Sequence, residues 1–198
     1  MRTAALVLAA GTSSRLGRPK PLLAWGGTTL LGAVLAGVAE WPVDEVWVVL
    51  GADADRVLAE VDLGDAGVVV NEQYEEGIAS SLKVGLDALI RRSHADRVFI
   101  VMGDQPRIDP AVPARLLEVA ASEPAPAIVP RYRYTRSNPA LVERSLWERL
   151  MSLEGDQGAK GLFEAHPQWV HEVWFDRLPP RDVDTQLDYE ELAPRRPL

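Results

Sequence analysis

The stretch Thr3-Ala4-Ala5-Leu6-Val7-Leu8-Ala9-Ala10-Gly11-Thr12-Ser13-Ser14-Arg15-Leu16-Gly17-Arg18-Pro19-Lys20 decides the reading of this chain. Thr3 to Ala9 is an apolar run of strand length, the pattern of a strand buried on both faces. It empties abruptly into a loop punctuated by Gly11 and Gly17 and carrying Arg15, Arg18 and Lys20. Glycines let a backbone take unusual angles and approach a ligand closely, and exposed N–H groups form a concavity for anions. A guanidinium at Arg15 forks onto phosphate oxygens, while Lys20 brings a point charge to where negative charge builds up. The arrangement suits a nucleoside triphosphate. It is not a Walker loop, because Lys20 stands three residues beyond Gly17, and it does not match G-x-G-x-x-G.

Outward from that strand, apolar β-branched runs alternate with amphipathic stretches, which predicts an α/β sandwich with a largely parallel sheet. The expected central strands are Thr3–Ala9, Glu45–Leu50, Gly67–Val70, Arg97–Met102 and Ala127–Val129. Between them Thr29–Glu40, Asp53–Val61, Ser80–Arg92 and Pro110–Ala121 have helical spacing, the last opened by Asp109-Pro110. The second half is less regular. Pro124–Arg136 reads as a strand leading into a hairpin, Ser145–Leu153 and Gln157–Ala165 as helices, Trp169–Phe175 as a strand and Thr185–Leu192 as a last helix. One domain over residues 1–192, with residues 193–198 as a tail, is the expected organisation.

The 198 residues bury a substantial core without disulfides or structural metal, and there is no cysteine to make a disulfide or thiolate. No apolar stretch approaches a membrane span, and the first apolar run reads as a strand rather than a signal peptide, so a cytoplasmic protein is expected. A net charge of −8 argues against a general nucleic-acid binder. The three histidines form no plausible metal cluster, and no G-x-S-x-G elbow is present. Of the tryptophans, Trp41, Trp47, Trp147 and Trp174 are expected to pack in core or interface, and Trp25, close behind Lys20, is the candidate for the pocket.

Three segments that follow predicted strands, Ala10–Lys20, Asn71–Ser81 and Gly103–Pro106, are expected to converge on one crevice at the carboxyl edge of the sheet. Asp104, in Gly103-Asp104-Gln105-Pro106, offers a hard oxygen ligand suited to magnesium, which takes one or two carboxylates together with phosphates and water. The second carboxylate is Asp156 or Asp184, and each is equally placed to cap the helix that follows it. Asn71, Gly77, Ser80 and Ser81 flank a helix start and could read a nucleobase, with capping by Ser80 or Ser81 as the plain alternative.

The string Leu-Ala-Ala-Gly-x-Ser-x-Arg-x-Gly-x-Pro-Lys, met from Leu8 to Lys20, resembles the signature loop of the MobA-like nucleotidyltransferases of molybdenum cofactor biosynthesis. Matches at Asn71–Leu86, Met102–Pro106, Leu153–Lys160 and Asp182–Tyr189 follow in the family's order, nearest to the molybdenum cofactor cytidylyltransferase branch. The resemblance implies a single three-layer α/β/α, Rossmann-like domain of the nucleotide-diphospho-sugar transferase type. It implies an enzyme that transfers CMP from CTP, with Mg2+, to the phosphate of a molybdopterin-type cofactor, releasing pyrophosphate. Arg15, Lys20 and Asp104 would be catalytic, and Leu8, Ala9, Ala10, Gly11, Ser13, Ser14, Asn71, Gly77, Ser80 and Ser81 would join them in binding the nucleotide. Asn138, Asp156 and Lys160 would meet the acceptor, and Asp104 and Asp184 the metal. A molybdoenzyme of the xanthine or CO dehydrogenase type, or its maturation chaperone, would be the partner. Where relatives often carry Gly-His-Pro, this chain has Ser137-Asn138-Pro139, so a histidine role in acceptor binding is lost. The alternatives are guanylyl transfer, transfer to a sugar phosphate or other small phosphorylated acceptor, and a non-catalytic cofactor carrier.

Overall fold

The computed structural model describes residues 1–13, 16–133 and 135–194. The elements run β1 (Thr3–Ala9), β2 (Ala24–Trp25), β3 (Thr28–Thr29), α1 (Leu30–Ala39), β4 (Glu45–Leu50), α2 (Ala54–Glu60), β5 (Gly67–Val70) and α3 (Ile78–Arg92). They continue with β6 (Arg97–Met102), α4 (Ala111–Ser122), β7 (Ala127–Tyr132), β8 (Ala140–Glu143), α5 (Trp147–Met151), α6 (Ala159–Ala165), β9 (Val170–Phe175) and α7 (Gln186–Leu192). Seven strands form one sheet in the order β5-β4-β1-β6-β8-β7-β9, and β2 and β3 form a separate small hairpin. All neighbours in the large sheet are parallel except β8, which runs antiparallel to both β6 and β7.

The fully buried β1 shows why the sheet has helices on both faces. Successive strand side chains point to opposite faces. Ala4, Leu6 and Leu8 enter one core with Leu82 and Leu86 of α3, Trp147 and Leu150 of α5 and Phe163 of α6. Ala5, Val7 and Ala9 enter the other with Leu31, Leu35 and Val38 of α1, Val57 of α2 and Leu116 of α4. Packing, rather than termini, holds these helices. Each buried Leu or Val contributes about 1.5–3 kcal/mol, whereas a cap such as Thr29 on α1, which accepts the Gly32 amide at 3.1 Å, contributes about 1 kcal/mol.

The four expected strands β1, β4, β5 and β6 occur with the expected bounds. The second half differs in detail. The strand expected over Ala127–Val129 extends to Tyr132, and Tyr132 and Thr135 exchange backbone hydrogen bonds of 2.9 and 3.2 Å in the hairpin. β8 was not expected. Its Ala140, Leu141 and Val142 are too short a run to signal a strand, yet they are buried between β6 and β7. The Ser145–Leu153 helix shortens to a 3-10 turn and α5, and α6 begins two residues late, at Ala159. The backbone N–H of Ala193 donates to the Tyr189 carbonyl at 2.8 Å, closing α7, while residues 195–198 lie outside the described residues. Among the described residues, no helix is long and apolar enough to cross a membrane.

The chain winds from β1 outward to β4 and β5, then crosses back to place β6 on the other side of β1. Such a reversal of strand order opens a crevice at the carboxyl ends of the two strands. The Gly103 N–H continues the ladder by donating to Leu8 O at 2.9 Å. A side chain there is excluded, since a Cβ would stand 2.8 Å from Ala9 Cβ and 2.9 Å from Leu8 O. That close approach carries the loop after β6 against the loop after β1.

Candidate active site

The crevice is a cavity of about 380 Å³ floored by Leu8–Ser13 and walled by Lys20, Gly77, Ser81, Gly103, Asp104, Asp156 and Asp184. It therefore gathers residues from five separate parts of the chain, and Tyr74, Glu75 and Ile78 complete the wall. At its base Ser13 adopts a left-handed backbone (φ 55°) and its hydroxyl oxygen accepts the Lys20 backbone N–H at 2.8 Å, tying the loop into a closed ring. Ser14 and Arg15, expected in nucleotide binding and catalysis, lie outside the described residues.

Lys20 is the centre of charge. Its Nζ donates to Asp104 Oδ2 at 2.7 Å and to Asp184 Oδ1 at 2.9 Å, with all three side chains largely shielded from solvent. Burial alone pushes the ammonium pKa down, but the charge and hydrogen bonds of Asp104 and then Asp184 outweigh it, and the net shift is upward. Asp104 brings its other oxygen, Oδ1, into the interior without a hydrogen-bond partner among the described residues.

The segment Asp182-Val183-Asp184 is held against the end of β6 by three contacts. The Val183 N–H donates to Asp104 O at 3.0 Å, the Val183 side chain is fully buried, and Gln105 Nε2 donates to Asp182 Oδ1 at 2.7 Å. In an extended segment residues i and i+2 share a face, so Asp182 and Asp184 both look towards β6 while Val183 packs behind with Leu23, Trp25 and Leu30. Burial first, and then the Asp104 charge, raise the Asp182 pKa, opposed by the Gln105 hydrogen bond. Gln105 and Asp182 carry no assigned role in the sequence alone. The Asp182-Val183-Asp184 spacing is a signal that could have found Asp182, and nothing local marks Gln105.

Two ambiguities are resolved by the helix caps. α7 is capped by Thr185, whose hydroxyl oxygen accepts the Asp188 N–H at 3.2 Å while Asp188 Oδ2 accepts the Thr185 N–H at 2.8 Å. Asp184 does not cap it. Likewise α6 is capped at Gly158, and Asp156 faces the cavity instead. At α3 the cap is Gly77 (φ 94°), and neither Ser80 nor Ser81 caps. A Cβ at Gly77 would stand 2.4 Å from the Gly155 carbonyl and 2.7 Å from Asp156 Oδ1. The turn at 155–156 thus rests directly on the helix start, and the Ala79 N–H donates to Gly155 O at 3.0 Å.

Other expected site residues stand elsewhere. Asn71 is buried, and its amide donates to Ser80 Oγ at 2.8 Å and Ser81 Oγ at 3.0 Å while its Oδ1 accepts the Gln73 N–H at 3.0 Å. Ser80 Oγ donates to the Gln73 and Gly77 carbonyls. Asn71 and Ser80 therefore stand behind the cavity wall with their bonding capacity spent, and of the four residues expected to read a base, Gly77 and Ser81 line the cavity. Lys160 is exposed, 3.9 Å from Glu164 on the next turn, and neither it nor Asn138 lines the cavity. Trp25 also leaves the pocket: it is buried with Leu23, Leu30 and Val183. Trp41, Trp47 and Trp147 are core residues as expected, but Trp174 is 59% exposed beneath Arg131.

Among the described residues no group of three or more His, Cys, Asp or Glu side chains could hold a metal ion. Asp104 and Asp184, converging on one cation with a buried carboxylate oxygen unpartnered, fit the sparser set of magnesium or manganese, whose remaining ligands are phosphate oxygens and water.

Known proteins share this architecture along its length. A nicotine blue oxidoreductase of Paenarthrobacter nicotinovorans is 30% identical over 189 residues, covering 91% of each chain. The crystal structure of an Rv0371c homologue from Mycobacterium sp. strain JC1 is 37% identical with a TM-score of 0.86, covering 97% of this chain and 96% of that one. Rv0371c of Mycobacterium tuberculosis H37Rv, solved as a complex with manganese, is 32% identical with a TM-score of 0.84 over 98% of each chain. Residues 5–170, which carry the loop after β1, Gly77, Ser81, Asp104 and Asp156, match the MobA-like NTP transferase domain, and the chain belongs to that family of nucleotidyltransferases.

Proposed function

We propose that this protein is a divalent-metal-dependent cytidylyltransferase that moves CMP from CTP to the terminal phosphate of a molybdopterin-type molybdenum cofactor. The observation that carries the reading is the ammonium of Lys20 set between Asp104 and Asp184, beside the Leu8–Ser13 backbone in one cavity. That is the equipment of phosphoryl transfer, where positioning and charge stabilisation supply nearly all of the catalysis. Leu8, Ala9, Ala10, Gly11 and Ser13 support the triphosphate through backbone groups, and Gly77 and Ser81 face the nucleoside. Arg15 is assigned to the phosphates by its place in the loop.

An oxygen of the acceptor phosphate attacks the α-phosphorus in line. A new O–P bond forms, the bond from Pα to the bridging oxygen breaks, and pyrophosphate leaves with the electron pair. No protein base is required, since a phosphate acceptor is already ionised near neutral pH. Lys20 meets the negative charge that accumulates on the triphosphate. Asp104 and Asp184 would hold Mg2+, which would supply neutralisation of phosphate charge when bound. Asp156, on the turn against Gly77, serves the acceptor side.

The choice of CTP rests on the Leu8-Ala9-Ala10-Gly11 form of the loop, and that of the pterin on the Gly155-Asp156-Gln157-Gly158-Ala159-Lys160 string. The deciding experiment is Mg2+-dependent pyrophosphate release from each of the four ribonucleoside triphosphates, with and without molybdenum-loaded molybdopterin. Release from CTP only with the pterin present is the expected result. Release from GTP instead moves the enzyme to guanylyl transfer. Nucleotide binding with no release indicates another phosphorylated acceptor or a cofactor carrier. A second reading comes from the relative named a nicotine blue oxidoreductase. Redox turnover of nicotine blue, with no pyrophosphate formed, would favour it.

A further inference from the structure

Asp104 and Asp184 are held together by main-chain and side-chain links that do not depend on any ligand: Val183 N–H to Asp104 O, and Gln105 to Asp182. Two carboxylates fixed side by side in a shielded place can both stay ionised only with a cation between them. The protein supplies its own, since the Lys20 ammonium is within 2.9 Å of an oxygen of each. A divalent ion ligated by those two carboxylates would stand close to that ammonium, and the two cations repel.

Lys20 is built to leave. Its backbone is pinned by the bond from its N–H to Ser13 Oγ, while the head sits on a flexible four-carbon stem. The cavity it borders is floored by the loop assigned to the triphosphate, whose phosphates offer an ammonium more negative charge than the two carboxylates do.

We infer that Lys20 is an internal counter-cation that fills the metal site of the nucleotide-free protein, and that the triphosphate, by drawing Lys20 onto its phosphates, opens Asp104 and Asp184 to the divalent ion. Metal and nucleotide therefore bind with positive coupling, and the coupling is reciprocal. The inference rests on the assignment of Asp104 and Asp184 as metal ligands, and is independent of base and acceptor.

The test is Mn2+ binding to the intact protein, read from the paramagnetic resonance of the free ion, without nucleotide and then with a CTP analogue bearing a non-cleavable α,β bridge. Lys20→Met and Lys20→Gln are expected to bind Mn2+ about ten- to hundredfold more tightly than the wild type when no nucleotide is present. Lys20→Arg, which retains the cation, is expected to remain within about threefold of the wild type. The analogue tightens Mn2+ binding in the wild type and does so less in Lys20→Met. A metal-induced rise in melting temperature, larger in Lys20→Met and Lys20→Gln than in the wild type, gives a second readout in the same proteins. Should both neutral variants bind Mn2+ no more tightly than the wild type, while Asp104→Asn abolishes binding in every background, the exchange is wrong and the ligand assignment stands. Should Asp104→Asn leave Mn2+ binding intact, the ligand assignment falls and takes the exchange with it.

Discussion

Two polar clusters lie on the same edge of the sheet, and they differ in how completely their hydrogen bonds are closed. In the first, after β5, Asn71 spends its amide on Ser80 and Ser81 and its carbonyl oxygen on Gln73, and Ser80 donates onward to two carbonyls. In the second, after β6, Lys20 bridges Asp104 and Asp184, but Asp104 Oδ1 and Gln105 Oε1 are buried without partners among the described residues. Unsatisfied buried polar atoms are rare in native proteins because each costs about 1–3 kcal/mol. A closed network braces a wall. An open one leaves acceptor oxygens that the metal and nucleotide of the proposed reaction would complete.

The largest effect that probes this contrast is on turnover. Asp104→Ala removes the carboxylate that the open cluster presents, and pyrophosphate release should fall by about a thousandfold or more. Thermal melting should show the variant folded. A folded Asp104→Ala protein with full turnover would end the assignment. The closed cluster should respond in the opposite way. Asn71→Ala leaves the Gln73 N–H and two serine hydroxyls short of a partner, so the melting temperature should fall by the equivalent of about 2–3 kcal/mol. The kcat of the protein that remains folded should change little. Loss of kcat at unchanged stability would make Asn71 a ligand-binding residue and erase the distinction between the clusters.

The contrast was only half legible in the sequence. Asp104 after an apolar strand and Lys20 in a glycine-punctuated loop both read as site candidates and do meet in one cavity, because glycine, strand ends and charge are local signals. Asn71 and Ser80 have the composition of a binding segment, and nothing local separates a polar residue facing a ligand from one facing its neighbours. Only the course of the chain does that. Likewise β1, β4 and β6 are bounded correctly because strands buried on both faces read as continuous apolar runs, and the partly buried edge strand β5 because its valines run unbroken between Gly67 and Asn71. β8 escaped because four residues between Pro139 and Arg144 carry too short a pattern, and its burial comes from β6 and β7 on either side. Lys160 shows the limit of a matched string: its place in Gly155–Lys160 suggested the acceptor, and its side chain is exposed beside Glu164.

Gly77→Ala tests the wall between the clusters, with a smaller expected effect. Gly77 holds φ 94°, and the added methyl would meet the Gly155 carbonyl at 2.4 Å. Backbone strain of this kind costs about 1–3 kcal/mol, and the 155–156 turn has to retreat from the cavity. Stability should fall by about 2 kcal/mol, and KM for the nucleotide should rise more than kcat falls, because the wall moves while Lys20 and Asp104 stay. A kcat loss with unchanged KM would place Gly77 in the chemistry instead.

The smallest effect concerns the route by which Asp184 reaches the site. Asp184 precedes a helix capped by Thr185, and that helix packs Tyr189 and Leu192 on the cluster around Trp25 and Val183. Thr185→Ala removes the side-chain half of the capping box, a loss of about 1 kcal/mol in thermal or urea unfolding. The loss should depend on pH. The Thr185 hydroxyl and then its backbone N–H hold the Asp188 carboxyl below its ordinary range. A carboxylate with a lowered folded pKa stabilises the fold above its unfolded value, and that contribution disappears as pH falls through the folded value. The difference between Thr185→Ala and the wild type should therefore be full near neutrality and shrink in acid. Turnover at saturating metal should be almost unchanged, because Val183 and the Gln105–Asp182 bond still hold the segment against β6. If turnover instead falls in step with stability, the cap and not the Val183 anchor sets the position of Asp184, and the open cluster depends on a helix that the closed one does not need.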